Sequence, residues 1–202
     1  MYKILPVIAL ILCTTAFGQK RAFNASAQLG FSASQVEGDA YGGFNKFGLV
    51  GCIQTNRDIN DRFFWNLGIQ LAQKGSFKGP NSKTGDFTKY KINLWYAEIP
   101  LALNYRIKDV SIFLGLSFGT LFYAKESDQN GELRGRPEFN RFEYGGFLGV
   151  RYDFNKKYYF ELSNGYSLAA VRPLIDGPVL FNKKDGQYNT WIYTKLGIQI
   201  GQ

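Results

Sequence analysis

Eight segments of this chain alternate apolar and polar residues with a period of two, and this alternation constrains the fold more than any other feature. In "WYAEIPLALNY", the odd positions from Trp95 to Tyr105 are apolar or aromatic, whereas Glu98 and Pro100 fall on the other face. Seven more segments follow the same rule, beginning near residues 22, 46, 64, 110, 141, 158 and 190. Alternation with this period predicts β-strands that each have one apolar face.

The connections between these segments alternate in length. The connections after the second, fourth and sixth strands are short ("NRDIND", "RIKD" and "DFNKK"), while those after the first, third, fifth and seventh are long and polar. An even number of antiparallel strands with short turns at one end and long loops at the other is typical of outer-membrane barrels. We therefore expect an all-β fold: an eight-stranded antiparallel up-and-down transmembrane β-barrel with short periplasmic turns and long extracellular loops.

The content of the polar face decides which face points outward. This face is rich in glycine, serine and alanine, which suit the crowded interior of a narrow barrel. The apolar face ends in aromatic residues at both ends of the strands, which predicts two interfacial girdles. The aromatic residues near the loops are Phe47, Trp95, Phe122, Phe142 and Tyr166, and those near the turns are Trp65, Tyr105, Tyr152 and Tyr158. The alternative is a soluble lipocalin-like binder, in which the same apolar face turns inward.

The first residues predict a cleaved secretory signal at 1–18. Lys3 is followed by a short apolar run and then by the small-residue sequence "AFG" before Gln19. We therefore expect residues 19–202 to form a single barrel domain in the outer membrane of a Gram-negative bacterium, with both termini periplasmic. Cys52 is the only cysteine in this domain, so we expect no intramolecular disulfide. The net charge of +8 is spread along the chain rather than gathered in one stripe, which argues against nucleic acid as a partner.

Seven charged residues fall on the predicted interior face, and their mixed signs predict a paired, structural network. An unpaired charge away from water costs several kcal/mol, so we expect the cations and anions to neutralise one another. Pro100 shares this face and cannot donate a ladder hydrogen bond, so we expect a bulge or a missing hydrogen bond there. The functional alternative is a small porin-like or solute-binding barrel with an ion path. The predicted interior charges are Lys46, Glu98, Arg141, Glu143, Arg151, Glu161 and Lys195.

Residues that carry catalysis are scarce. The chain contains no histidine, which excludes serine–histidine hydrolysis and removes the commonest zinc ligand. We therefore expect no catalytic residue, no metal, no cofactor and no enzymatic activity. The second long loop is strongly basic and is a candidate contact for anionic lipopolysaccharide or an acidic partner, with a solvated loop as the alternative. Its lysines are Lys74, Lys78, Lys83, Lys89 and Lys91, against the single acid Asp86.

Three stretches resemble the PorT-like outer-membrane β-barrels of Bacteroidetes-type bacteria. They are "YAEIPLALNYRI", a glycine-rich strand that ends in "GTLFYAK", and "LAQKGS" before the second long loop. The order of the strands also fits, so the resemblance covers most of the chain after residue 18. It implies the same barrel fold and no catalytic residue. The namesake of that family is associated with type IX protein secretion, which implies a role as an accessory subunit among other outer-membrane proteins.

Overall fold

Eight long antiparallel strands close into a barrel in the computed structural model, which describes residues 23–82, 85–133, 135–173 and 186–200. The predicted signal at 1–18 lies outside the described residues. A ninth, two-residue strand, β6, pairs only with the last residues of β5. The strands are β1 Asn24–Glu37, β2 Lys46–Asp58, β3 Phe63–Lys78, β4 Tyr90–Ile107, β5 Val110–Asp128, β6 Gly131–Glu132, β7 Phe142–Asp153, β8 Tyr158–Ser167 and β9 Tyr188–Gln199.

Each strand pairs with its neighbours in sequence order, apart from the short β6. Strand β5 pairs with β4 on one side and β7 on the other, and β1 pairs with both β2 and β9, which closes the sheet. Closure leaves no free edge around the barrel wall, so its backbone groups bond within the sheet. The predicted fold class, an eight-stranded antiparallel up-and-down barrel, is thereby confirmed.

Within the barrel wall, the apolar face of each long strand points outward. Leu29, Ile69, Leu114 and Leu196 are exposed, whereas glycine, serine, glutamine and charged side chains fill the interior. The lipocalin-like alternative, with the apolar face inward, is therefore wrong. Aromatic rings pair along both rims of the outer surface: Trp95 with Phe122, Phe118 with Phe142, Phe63 with Tyr105, and Phe23 with Trp65.

The two ends of the barrel differ in their connections. At one end, here called the short-turn end, strands are joined by residues 59–62, 108–109 and 154–157. Asn60 Oδ1 accepts the backbone N–H of Phe63, and Asn155 Oδ1 accepts that of Tyr158, which stabilises two of these turns. At the opposite, long-loop end, the described residues between strands are 38–45, 79–82, 85–89, 133, 135–141, 168–173 and 186–187. Within the described ranges, no helix is both long and apolar enough to cross a membrane.

The predicted irregularity at Pro100 lies on one side of β4. The β3–β4 ladder is complete up to Leu67 and Leu101, stops at Pro100, and resumes at Gln70 and Glu98 without a change of register. The proline thus interrupts the hydrogen bonds without a bulge. A bulge does occur nearby, where Trp95 pairs with Tyr123 but Tyr96 pairs with Leu121, so that one extra residue of β5 is left over.

Strands β3, β4 and β5 continue past the rest of the wall at the long-loop end. The β2–β3 ladder ends at Val50 and Ala72, while the β3–β4 ladder runs on to Lys78 and Tyr90. Residues 76–78 of the predicted second long loop and residues 125–128 of the third therefore belong to strands β3 and β5. The inward side chains that β4 contributes to this extension are apolar and buried, and they form a small core over the long-loop end of the barrel interior. This cap core consists of Val36, Tyr90, Ile92, Leu94 and Tyr96, with Tyr41, Leu121, Leu133 and Phe139 packed against it.

Candidate functional site

A lysine held between two glutamates lies in the barrel interior, toward its long-loop end. Lys74 Nζ is 2.6 Å from Glu98 Oε1 and 2.9 Å from Glu143 Oε2, and the lysine side chain is fully buried. These residues project inward from β3, β4 and β7, so the cluster links the β3–β4 pair to a strand on the far side of β5. We call Lys74, Glu98 and Glu143 the central cluster.

Neutral polar groups complete the coordination of the two carboxylates. Gln70 Nε2 donates to Glu98 Oε2 at 2.6 Å, from the position directly opposite Glu98 in the β3–β4 ladder. Ser167 Oγ and Asn189 Nδ2 both donate to Glu143 Oε1, at 2.5 and 3.1 Å. Several donors per carboxylate and a shared cation are the conditions under which buried charges are tolerated.

Trp191 forms an aromatic floor under the lysine. Lys74 Nζ lies 3.5 Å from the centre of the Trp191 ring, a cation–π distance, and 5.1 Å from that of Tyr96. The indole fits because glycines stand beside it on β7 and β8: a Cβ on Gly145 or Gly165 would lie 2.7 or 2.4 Å from the Trp191 ring. The sequence therefore keeps glycine on the interior face where the lumen is filled by a large ring from β9.

A second set of charges lies nearer the short-turn end. Lys195 Nζ is 2.6 Å from Glu161 Oε1, and Gln28 Nε2 donates to the other oxygen of Glu161 at 2.8 Å. Arg151 is 2.6 Å from Asp153 and lies 3.6 Å above the Tyr159 ring. These charges neutralise one another pair by pair. We call Lys195, Glu161, Arg151 and Asp153 the lower cluster.

Little empty space remains between the two clusters. The interior cavity found between them has a volume of about 20 Å³ and is lined by Gln70, Glu98, Glu161 and Lys195 among others. A cavity of this size holds about one water molecule. The interior of the described barrel is therefore filled by side chains, as expected of eight strands.

The cap core is fastened by a third charged group. Glu126 on β5 accepts hydrogen bonds from Arg172 at 2.6 Å and from Tyr90, and it lies 3.1 Å from Arg136. Arg172 is almost completely buried and also donates to Gln187 Oε1 at 2.6 Å. Gln187 in turn donates to the backbone carbonyl of residue 38, so the group joins three long connections. We call Glu126, Arg172, Arg136 and Tyr90 the cap cluster.

The structure places five of the seven predicted interior charges in the two lumen clusters: Glu98 and Glu143 in the central cluster, and Arg151, Glu161 and Lys195 in the lower one. Lys46 is buried but lies away from both, at the long-loop end of β2. The prediction for Arg141 is wrong. Arg141 is exposed, and it lies just before β7, which begins at residue 142.

The predicted basic loop is divided by the structure. The prediction that Lys74 lies on the loop is wrong, because β3 continues through Lys74 and the alternation points its side chain into the lumen. Lys78 is half-buried and pairs with Asp86 at 2.7 Å, and Lys89 and Lys91 are exposed at the long-loop end. Lys83 lies outside the described residues.

Sequence reasoning missed the cap cluster and the partner of the two glutamates. A signal for Lys74 existed, because it follows Gln70 and Ala72 at a period of two and so shares their interior face. A signal for Glu126 existed in the continued strand pattern of β5. Arg172 had none, since it lies in a long connection whose path no local pattern specifies. Among the described residues no group of acidic or cysteine side chains is arranged to hold a metal ion.

Three solved structures are similar to the chain at low sequence identity. Neisserial surface protein A is 13% identical, with 90% of this chain and 100% of that protein covered, at a TM-score of 0.48. The attachment invasion locus protein Ail of Yersinia pestis is 13% identical, with 88% and 98% covered, at 0.46. The outer membrane protein OprG from Pseudomonas aeruginosa is 11% identical, with 90% and 98% covered, at 0.43.

No curated protein matches the chain. The model of one protein family does match, over residues 17–171, which is more than half of the chain. That family is described as the outer membrane protein beta-barrel domain.

Proposed function

Since the chain belongs to the family of outer membrane protein β-barrel domains, we propose that it is a non-enzymatic, integral subunit of an assembly in the outer membrane of a Gram-negative bacterium. In this role the barrel anchors the protein, and its long loops or its lipid-facing surface contact other outer-membrane proteins. We further propose that the short-turn end and both termini face the periplasm, so that the long-loop end is extracellular.

The observation that carries this proposal is the filled and internally neutralised lumen. Lys74, Glu98 and Glu143 are all buried and engaged with one another, and the cap core covers the end of the interior. Interior side chains that bond to one another stabilise the barrel wall. Other molecules then have the outer surface and the loops as their binding sites. The same filling argues against the alternative of a small porin-like or solute-binding barrel, because conduction requires a continuous water path.

The long-loop end offers an apolar side chain for such contact. Phe87 is 70% exposed, next to the loop ion pair of Lys78 and Asp86, which fixes the loop beside it. Large exposed aromatic side chains on an ordered support are typical of protein interfaces.

The type IX secretion apparatus is our specific proposal for the assembly. Its support is the resemblance of "YAEIPLALNYRI", "GTLFYAK" and "LAQKGS" to PorT-like barrels, which covers strands β3 to β5. The corresponding expectation is that loss of the protein reduces secretion of cargo across the outer membrane while the membrane stays intact.

Photo-crosslinking in intact envelopes tests the proposed contacts. A crosslinkable amino acid at Phe87 is expected to capture a second outer-membrane protein. The matched control is the same substitution at Ile59, which is similarly exposed but lies at the short-turn end. A protein that yields no adduct from Phe87 or from the lipid-facing Leu114, and that runs as a monomer after mild detergent extraction, would refute the subunit role.

Planar-bilayer recording tests the pore alternative. The wild-type protein is expected to conduct no ions, and Glu98→Ala is expected to leave this unchanged. Steady conductance that changes in Glu98→Ala would favour the pore and count against our proposal.

A further inference from the structure

One carboxamide side chain lies on the lipid-facing surface of the described strands, between the two aromatic rims. Asn164 on β8 is exposed, and it alternates with the inward residues Ser163 and Gly165. Its cross-strand neighbours are Leu148 on β7 and Ile192 on β9, which also point outward. The other outward positions between the rims carry apolar or aromatic side chains, glycine or threonine. Asn164 is therefore the exception on this surface.

The protein itself satisfies only part of the Asn164 amide. Nδ2 donates to the backbone carbonyl of Trp191 at 3.2 Å, and this is the one hydrogen bond of the side chain within the described residues. A carboxamide has two N–H donors and a carbonyl acceptor, so one N–H and Oδ1 are left over. Hydrocarbon offers neither a donor nor an acceptor, and polar groups that stay unpaired in it are costly. The amide therefore indicates a partner that supplies both a donor and an acceptor within the membrane.

The outer surface beside Asn164 has room for such a partner. Two depressions of about 690 and 550 Å³ lie on either side of a ridge formed by Leu148 and Asn164, which line both of them. Leu148 is 61% exposed on this ridge. The larger depression passes over Gly146, which has no side chain, and reaches Leu168. Small residues on a lipid-facing surface let another protein approach the backbone closely.

The symmetry of membrane insertion makes a second copy of this chain a suitable partner. Two copies inserted in the same direction pair about a two-fold axis along the membrane normal, so interface residues meet at equal depth and a residue on the axis meets its own copy. Two carboxamides that face each other exchange two hydrogen bonds, because the second N–H of each donates to Oδ1 of the other. Acyl chains can fill the depressions but offer neither bond.

Charge does not oppose this pairing. In a two-fold interface every charged residue near the axis meets the same charge on the other copy, and like charges repel. The outward positions of β7, β8 and β9 between the aromatic rims carry no charged side chain in the described strands. The face around Asn164 is therefore apolar, with one self-complementary polar group.

We propose that two copies of this chain pair within the membrane through the outward face of β7, β8 and β9, with their Asn164 amides hydrogen-bonded to each other at the two-fold axis. The ridge of Leu148 and Asn164 on each copy packs against the depressions of the other. This pairing does not rest on the proposed subunit role, because it needs a single kind of chain and leaves the long-loop end for other proteins.

Energy transfer between labelled copies of the full-length protein tests the pairing. Copies that carry a donor or an acceptor dye are reconstituted together in lipid vesicles at increasing ratios of lipid to protein. Transfer in the wild type is expected to fall along a monomer–dimer curve. Asn164→Leu is expected to dimerise roughly tenfold more weakly, because it loses two hydrogen bonds made in hydrocarbon. Asn164→Gln keeps the amide and is expected to lie between the two.

Photo-crosslinking in intact envelopes identifies the partner. A crosslinkable amino acid at Leu148 is expected to give an adduct of two copies of this chain, and adding Asn164→Leu is expected to reduce its yield. The matched control is Ile69 on β3, which is 70% exposed and lies on the opposite side of the barrel wall from β8. This position is expected to give no such adduct.

Several outcomes would overturn the proposal. Both Asn164 variants are expected to keep the heat-modifiable gel mobility of a folded barrel, since the side chain lies on the surface, so weaker pairing does not reflect loss of the fold. A wild type that is monomeric at every lipid ratio, or that dimerises no better than Asn164→Leu, would overturn the amide pairing. Equal adducts from Leu148 and Ile69 would overturn the interface, and an adduct from Leu148 that contains only a different protein would overturn the second copy as the partner.

Discussion

The barrel lumen and the cap core are built from the same strands, but their interiors have opposite character. In the lumen, β4 points Glu98 inward and Ile99, Leu101 and Leu103 outward. In the cap, a few residues away, the same strand points Ile92 and Leu94 inward and exposes Lys91. The lumen is stabilised by ion pairs and hydrogen bonds. The cap core is stabilised by apolar packing around the carboxylate of Glu126.

The difference follows from the solvent on the outside of the wall. Where lipid surrounds the barrel, apolar side chains gain nothing by turning inward, and the polar side chains must hide in the lumen. Where water surrounds it, the hydrophobic effect drives apolar side chains inward, as in a soluble protein. The apolar phase of β4 therefore changes from odd to even positions near Trp95 and Tyr96 while the strand itself runs on. A change of phase within one strand thus marks the membrane boundary.

The largest effect is expected from removing the shared cation of the lumen. Lys74→Met leaves Glu98 and Glu143 buried without a counter-charge, and we expect a loss of about 3–5 kcal/mol in the free energy of unfolding. Urea unfolding in lipid vesicles, followed by tryptophan fluorescence, measures it. The matched control is Lys78→Met on the same strand, whose partner Asp86 is exposed to water. We expect this control to be much closer to the wild type.

A neutral version of the central cluster separates charge from packing. Lys74→Met combined with Glu98→Gln and Glu143→Gln removes all three charges at once, and we expect it to recover most of the lost stability. If the triple variant were as unstable as Lys74→Met alone, the pairing of charges would not be what holds this part of the lumen.

The cap is expected to respond to loss of apolar volume instead. Ile92→Ala removes a completely buried side chain, and we expect a loss of about 2–3 kcal/mol, toward the lower end for such changes because loops can close part of the cavity. Amide hydrogen exchange measures it, and increased exchange is expected in residues 38–45 and 133–141 but not in the barrel wall.

Leu103→Ala is the control for the cap. Leu103 is on the same strand but faces lipid, so the space left by its side chain is filled by acyl chains, and we expect little change. Equal losses for the two variants would contradict the assignment of opposite surroundings to the two parts of β4.

The sequence was sufficient for the barrel because the alternation is local and repeats along each strand. The alternation of apolar and polar positions alone predicts the outward faces of β1 to β5 and the inward position of Glu98. The cap was not predicted because its apolar residues Ile92 and Leu94 precede the alternating segment that begins at Trp95, and no strand was assigned to them. Their period of two is visible but in the opposite phase. The contacts of Arg172 with Glu126 depend on how distant connections fold back, and no spacing in the sequence encodes that.

A smaller effect is expected from adding one methyl group to the tightly packed lumen. Gly165→Ala places a Cβ about 2.4 Å from the buried Trp191 ring, which cannot move without disturbing Lys74 above it. We expect a loss of about 1–2 kcal/mol in the free energy of unfolding, measured by the same urea unfolding.

Gly146→Ala on the outer face is the matched control for this packing limit. A Cβ there meets only the flexible side chain of Leu168, at 3.2 Å or more, so we expect the variant to resemble the wild type. A Gly165→Ala protein as stable as Gly146→Ala would show that the lumen is less tightly filled than the Trp191 contacts indicate.

The smallest effect is expected from an acid at the edge of the cap. Asp39, in the connection after β1, has a raised pKa because burial disfavours its charged form, although Ser76, the Tyr41 N–H and Arg172 oppose this. The folded state therefore holds the proton more tightly than the unfolded chain, and the contribution of Asp39 to stability falls as the pH rises through its pKa values. Asp39→Asn keeps an acceptor for the Tyr41 N–H and removes the titration of the side chain.

We expect Asp39→Asn to be slightly more stable than the wild type at neutral pH. This advantage in stability is expected to vanish in acid, as measured by melting temperature across the pH range. An advantage that grew as the pH fell would mean that Asp39 is stabilised as an anion, like the carboxylates of the lumen, and the contrast between the two regions would fail at this residue.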